Sequence, residues 1–338
     1  MPVVVDGGSS VEKISGAMER VLKDPDIVAV CGSWASSFTM SGTEISERLG
    51  MPHFTVSFSD ALTSRGFKWG FYVFPPNLAQ GELGLKTVVD MSKQVGKGIK
   101  MAMLMGDNQA SSKDFYAACR DLFPGLGVKV IGEEVWPMGT LTDATPVMQK
   151  VKQTDPDLVI FMATAIAEAQ MCLMKKKELG VTIPFLGNGG WMADTSYAKV
   201  GKEVLEGMLG LMPIFANKKT PKDFVDRALN QCKKEYGEEA WMGQELSLGW
   251  VLIPPLRLVL EKAASTDPEK IRKAGHTLDA QNVPETAFTV KQGWAFAENG
   301  RVADKYQGVV LVQWQGGVPH TVYPDDLATA KPIWVSKK

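Results

Sequence analysis

Short runs of apolar, β-favouring residues recur along the first two thirds of the chain, and the segments between them carry apolar positions at helical spacing. The runs fall at 3–5 (VVV), 27–31 (IVAVC), 53–57 (HFTVS), 71–74 (FYVF), 99–105 (IKMAMLM), 128–136 (VKVIGEEVW), 157–163 (DLVIFMA), 183–186 (IPFL) and around 207–214. Most are continuously apolar rather than alternating, the pattern of strands covered on both faces of a parallel sheet. Helix starts are predicted at a capping box over Ser9-Ser10-Val11-Glu12, at Ser111 with Asp114, and at Thr220-Pro221 and Asp267-Pro268, each a cap followed by proline. From about 220 to 280 the pattern is helical, with long candidates at 221–236 and 243–264. Pro254-Pro255 predicts a kink or a split in the second. Beyond 285 the chain is rich in Gly, Pro and aromatics, with a strand at 308–314 and a turn at Gln315-Gly316-Gly317. A break after FYVF, at Pro75-Pro76-Asn77, is where the chain would cross from one lobe to a second.

At 338 residues the chain exceeds one ordinary core and suffices for two. Its 37 Lys and Arg nearly balance 38 Asp and Glu, so no global basic field favours nucleic acid or an anionic bilayer. No apolar run is long enough to cross a bilayer, which argues against direct membrane insertion. Cys31, Cys119, Cys172 and Cys232 form no CxxC pair, and His53, His276 and His320 are scattered, so neither a metal site nor another cofactor is expected.

Ligands of open parallel sheets bind beyond the carboxyl ends of the strands, where helix N-termini offer unpaired N–H groups. The segments there are Gly32-Ser33-Trp34-Ala35-Ser36-Ser37, Phe58-Ser59-Asp60, Gly106 to Ser112, Thr164 to Glu168, and Gly187-Asn188-Gly189-Gly190-Trp191. They are small, hydroxyl-rich and punctuated by tryptophan, which suits recognition of a small polar molecule. Phosphate-loop and nucleophile-elbow motifs are absent, and Asp60, Asp107 and Glu168 lack a histidine or nucleophile beside them in the sequence, so an enzyme is not expected.

The stretch 27–74 resembles the first-lobe core of the periplasmic leucine/isoleucine/valine-binding type of ABC-transporter substrate-binding proteins. The matching pieces are Gly32, Ser36-Ser37, Glu47-Arg48-Leu49-Gly50-Met51-Pro52, Ser57-Phe58-Ser59, Leu62-Thr63-Ser64-Arg65-Gly66 and Phe71–Phe74. DPDLVIFMAT, IPFLGNGGW, EVLEGMLGLMPIF and GVVLVQWQGGVPHTVYP extend the resemblance over nearly the whole chain. It implies an α/β fold of two doubly wound parallel-sheet lobes with a hinge and an inter-lobe cleft, the type I periplasmic binding protein fold. The first lobe would take 1–76 and 214–285. The second would take 77–213 and 286–338 with the C-terminal tail. MPVVVDGG corresponds to the second strand of that fold, so a signal peptide and one β-α unit have no counterpart here, and a shortened first lobe is expected.

The implied function is capture of a small carboxylate, an amino acid or an aromatic or aliphatic acid or amide, and its delivery to the membrane permease of an ABC transporter in the periplasm. A ligand-sensing domain of the same fold is the alternative, and an α/β enzyme using Asp107 or Glu168 a further one. By resemblance Ser36 and Ser37 would hold the carboxylate, Ser57 and Ser59 the amino group and the second carboxylate oxygen, and Trp34 the side chain. In the second lobe Ala110, Ser111, Thr164, Ala165, Asn188, Gly189 and Trp191 occupy ligand-contact positions. Asn188-Gly189 stands where amino-acid binders carry an acid for the ammonium, and no tyrosine is found at 110 or 111. Either Asp107 or Glu168 substitutes, or the ligand has no ammonium. Trp34 and Trp191 suit an aromatic or bulky apolar carboxylate. A cysteine pair known in some members is replaced by Gly8 and Ala35.

Overall fold

The computed structural model describes residues 1–96, 98–188, 200–237 and 244–334. The chain opens with helix α1 (Val11–Val21), strand β1 (Val30–Cys31), helix α2 (Ser36–Leu49), and strands β2 (His53–Thr55) and β3 (Gly70–Tyr72). It continues through α3 (Asn77–Val95), β4 (Met101–Asp107), α4 (Ala110–Leu122), β5 (Lys129–Trp136), α5 (Thr145–Thr154), β6 (Leu158–Met162), α6 (Ile166–Glu178), β7 (Phe185–Asn188), α7 (Lys202–Leu205) and β8 (Leu209–Met212). Three helices follow, α8 (Lys222–Tyr236), α9 (Gln244–Ala263) and α10 (Pro268–His276), then β9 (Asp279–Gln281), β10 (Gly293–Ala295), β11 (Val310–Gln315) and β12 (Val318–Tyr323). These elements fall into two compact units, Met1–Asn77 with Leu248–Gln307 and Leu78–Ser247 with Gly308–Lys338.

In the first unit β1, β2 and β3 pair in parallel in that order. Phe54 and Phe71 stack on neighbouring strands at 4.6 Å between ring centres, and Phe296 meets both edge-on. That packing, with Tyr72 and Gly300 joined backbone to backbone, draws residues up to 307 into this unit, although the resemblance implied 286–338 for the other. Conversely 214–247 groups with the second unit: Lys218 N–H donates to the Leu327 carbonyl, and the Thr321 hydroxyl to that of Ala216.

The family-like motifs of this unit hold α2 against the sheet. Gly50 ends the helix in the left-handed region (φ 67°), its N–H returning to Glu47 and Ser46. The Glu47 carboxylate accepts the N–H groups of Lys68 and Trp69, which lead into β3. Arg65 donates to the Met40 carbonyl and the Thr43 hydroxyl on α2 and stacks over Phe67. The expected strand at 3–5 is not formed. Val3, Val4 and Val5 are exposed and pair with no strand among the described residues, because the sheet order begins at β1.

The second unit carries a seven-stranded sheet in the order β12-β11-β8-β7-β6-β4-β5. Strands β4 to β8 are parallel; β11 and β12 return antiparallel through a two-residue turn, Gly316-Gly317, with φ of 63° and 94°. Leu104, Ile160, Leu186, Leu209 and Leu311 from the sheet pack with Leu85, Val88 and Phe115 from the helices and with Phe123 just after α4, all buried. Gly106 passes so close to β6 that a Cβ would lie 1.9 Å from the Met162 carbonyl oxygen, so only glycine fits there.

Helix starts depart from the sequence pattern in three places. Ser10, not Ser9, caps α1 by accepting from Lys13 N–H, and the box with Glu12 is not made. Gln109 rather than Ser111 precedes α4, and α8 begins one residue after Pro221. Asp267 does cap α10, accepting from Lys270 N–H with Pro268 in the first turn. Helix α9 runs through Pro254 and Pro255 without a split.

Candidate functional site

Because β1 and β2 are parallel neighbours, the loops that leave their carboxyl ends lie together. The first loop is held by its carbonyl groups. His53 Nε2–H donates to the Gly32 oxygen, since a carbonyl can only accept, and in the neutral ring Nδ1 then accepts from the Ser46 hydroxyl. The Ser33 oxygen is surrounded by the hydroxyls of Thr39 and Thr55 at 3.1 Å and of Ser57 at 3.0 Å, and the Trp34 oxygen lies 2.8 Å from the Ser57 hydroxyl. Burial pushes the His53 pKa down to about 4, with nearby Arg65 adding to it, so the imidazole is neutral at pH 7.

Helix α2 starts immediately after this clamped loop. Its N-cap, Ala35, offers no side-chain acceptor, and its carbonyl takes the N–H groups of Phe38 and Thr39, so those of Ser36 and Ser37 have no acceptor among the described residues at the positive end of the helix. Ser36 is 2% exposed and Ser37 half-buried, and neither hydroxyl is engaged among the described residues. Ser59, also buried, precedes the short turn Asp60–Leu62. The Trp34 indole meets Phe58 edge-on at 6.0 Å. Ser36, Ser37 and Trp34 thus share one loop-helix junction. Ser57 is placed differently from Ser36: its hydroxyl is spent on the loop carbonyls and on Thr39, making it a support of the junction. Thr39, Thr55 and His53 belong to the same support and had no sequence signal beyond lying on or beside the strand and helix that meet there.

In the second unit β4, β6 and β7 are adjacent parallel strands, so their carboxyl-end loops are neighbours as well. Asp107 ends β4 fully buried. One oxygen accepts Gln109 N–H at 3.0 Å and the Ser112 hydroxyl at 2.8 Å, and the other accepts Thr164 N–H from the β6 loop. Burial raises its pKa, and the three donors offset part of that rise. Glu168, buried on α6, accepts the Trp136 indole N–H at 3.0 Å and Leu141 N–H at 2.8 Å. Both acids therefore tie loops of their own unit together. Ala110 and Ser111 form the first turn of α4, Ala165 caps α6 beside Thr164, and Asn188 ends β7. Gly189 and Trp191 lie outside the described residues. No group of three or more potential metal ligands occurs among the described residues. Cys31, Cys119 and Cys172 are free thiols whose pKa values burial raises, to about 12 for Cys31 and Cys172.

Comparison with known proteins adds a family. A family model described as periplasmic binding protein matches residues 2–317. The Leu/Ile/Val-binding protein homolog 8 of Brucella abortus (strain 2308) is 21% identical over 339 residues, covering 97% of this chain and 82% of the relative. A leucine-binding protein of Thermotoga maritima MSB8 superposes with a TM-score of 0.78 at 20% identity, over 95% of this chain and 87% of its own. A solute-binding protein of an ABC transporter from R. palustris, solved in complex with benzoate, does so with a TM-score of 0.77 at 16% identity, over 97% and 86%.

Proposed function

Since the chain belongs to the periplasmic binding protein family and is of the leucine/isoleucine/valine-binding type, we propose that it captures a small carboxylate-bearing solute in the periplasm and delivers it to the membrane permease of an ABC importer. The observation that carries this reading is the uncapped start of α2, where the buried Ser36 and the half-buried Ser37 bring two disengaged hydroxyls to free helix N–H groups. A carboxylate has two oxygens and acceptor capacity for each of those donors, and the helix end favours its charge. The hydroxyls and His53 behind the loop fix its carbonyl groups in advance, so little ordering is required when the solute arrives.

The ligands named for two structural neighbours, leucine and benzoate, share a carboxylate and little else, which fits recognition centred on that group. Capture then proceeds by differential binding between conformations, with no bond made or broken. An enzymatic role is not supported: Asp107 and Glu168, the two acids at strand ends of the second unit, are each held by donors of the protein.

A thermal-shift comparison of acids with their amides tests the reading: benzoate against benzamide, and L-leucine against L-leucinamide. At a hundredfold excess over its dissociation constant a ligand adds about 2.7 kcal/mol. For units of this size that raises the melting temperature by roughly 5 °C or more. The expected result is such a rise with at least one acid and none with its amide. Equal rises with acid and amide, or none with any acid, contradict it.

A further inference from the structure

Strand β5 ends the order of the seven-stranded sheet, so one of its edges has no strand beside it among the described residues. Lys129 N–H donates to the Lys100 carbonyl at 2.8 Å and so points towards β4, which turns the N–H and C=O groups of Val128 and Val130 outward. The register slips after Val130: it pairs with Ala102 while Gly132 pairs with Met103, leaving Ile131 as an extra residue.

The two faces of the strand are defined on both sides of that bulge. Val128 and Val130 pack with Phe115 and Cys119 of α4, and Glu133 accepts from Arg120 of α4 at 2.9 Å, which sets Val135 on that face too. Lys129 lies on the other face with Glu134, whose carboxylate is 3.7 Å from Lys150 of α5. In a strand of one direction the side-chain face fixes the edge to which the backbone groups point, so Glu133 and Val135 also offer theirs to the open edge.

An open edge is a template for another strand, and a lysine on it ordinarily discourages pairing. Here the same strand carries the acid that would meet the lysine. We propose that β5 pairs antiparallel with β5 of a second copy of this chain, about a two-fold axis between Ile131 and Gly132, so that each seven-stranded sheet continues into the other. Opposite residues of an antiparallel pair share a face. The register that sets Val130 against the partner's Glu133 and Val128 against the partner's Val135, as hydrogen-bonded pairs, also sets Lys129 against the partner's Glu134, and symmetry makes each pair twice. A slip of two residues either way faces Lys129 with Trp136 or Gly132 instead, so the charges select the register. Lys129 is exposed and forms no ion pair among the described residues. Val135 is 40% exposed, and its place opposite Val128 seats it in a groove of about 570 Å³ lined by Pro124, Gly127, Val128 and Val130. A Cβ on Gly127 would meet nothing within 4 Å, so the groove has room for that side chain.

The test is sedimentation velocity on the full chain over a concentration series, with amide hydrogen exchange of segment 128–135 followed by mass spectrometry. The native chain should show a reversible monomer–dimer equilibrium, and exchange over 128–135 should slow as the dimer forms. Lys129→Glu turns both charge pairs into like-charge pairs and should raise the dissociation constant of the dimer about tenfold or more. Adding Glu134→Lys restores opposite charges and should bring the constant back to within about threefold of the native value. A monomer at every concentration overturns the proposal, as does a dimer whose exchange over 128–135 is unchanged. A dissociation constant indifferent to Lys129→Glu, or a double substitution that dimerises no better than Lys129→Glu alone, overturns the pairing of Lys129 with Glu134. Should a variant melt early, the exchange measurement on the native chain still decides.

Discussion

His53 couples the loop from Gly32 to Trp34 to acidity. The imidazole is wholly enclosed, and in its neutral form donates to the Gly32 carbonyl and accepts from Ser46. Its folded-state pKa is about 4, against 6.5 for an ordinary histidine. A base whose folded pKa is depressed contributes full stability above the unfolded value and loses it as pH falls towards the folded one. The window therefore runs from about pH 6.5 down to about pH 4. At 1.36 kcal/mol per tenfold change in proton affinity, the full loss is about 3 kcal/mol, of which about 2 kcal/mol is gone by pH 5. His53→Gln retains a neutral amide donor and acceptor but cannot titrate. Urea unfolding of both proteins at pH 7, 6 and 5, followed by far-UV circular dichroism, isolates the effect, because every other carboxylate and histidine is common to the two. The native chain should be the more stable at pH 7, and its advantage over His53→Gln should shrink by about 2 kcal/mol by pH 5. An advantage that stays constant within about 0.5 kcal/mol would refute the argument, since His53 would then be charged or solvated in the folded state.

Four further substitutions separate support from contact. Ser57→Ala removes the hydroxyl that braces the Ser33 and Trp34 carbonyls, so urea unfolding should show a loss of about 1–2 kcal/mol together with weaker solute binding, whereas Ser37→Ala should weaken binding with stability unchanged. Asp107→Ala strands the donors of Gln109, Ser112 and Thr164 in a buried position and should cost about 3 kcal/mol or more in the same assay; a change under about 1 kcal/mol would mean that water replaces the carboxylate. Gly106→Ala drives a methyl group into the Met162 carbonyl, and the purified protein should show a lowered melting temperature or fail to accumulate as soluble protein.

The strand-helix rhythm was legible because parallel strands covered on both faces are continuous apolar runs, and nine of the runs read from the chain overlap strands from β1 to β8 and β11. The run at 3–5 misled, since three valines favour a strand only where a neighbour exists to pair with. β9, β10 and β12 escaped notice because each is short or broken by polar residues and is set by its partner rather than by its own pattern. The return crossings near 214–247 and 286–307 were misallocated for a related reason: Phe296 on Phe54 and Phe71, and Lys218 on Leu327, are contacts between distant positions that no local pattern announces. At the candidate site Ser36 and Ser37 could be read from a strand followed by a hydroxyl-rich helix start. The occupied state of Ser57 and the brace formed by Thr39, Thr55 and His53 depend on side-chain partners brought in from elsewhere in the fold.

The most direct test of carboxylate capture at the start of α2 is titration calorimetry of benzoate and L-leucine into the native chain and into the double substitution Ser36→Ala, Ser37→Ala. Whichever acid binds the native chain should bind the variant at least tenfold more weakly, the worth of one charge-assisted hydrogen bond or more, with the melting temperature of the free protein unchanged. Equal affinity for both proteins would contradict the assignment of Ser36 and Ser37 to the solute's carboxylate.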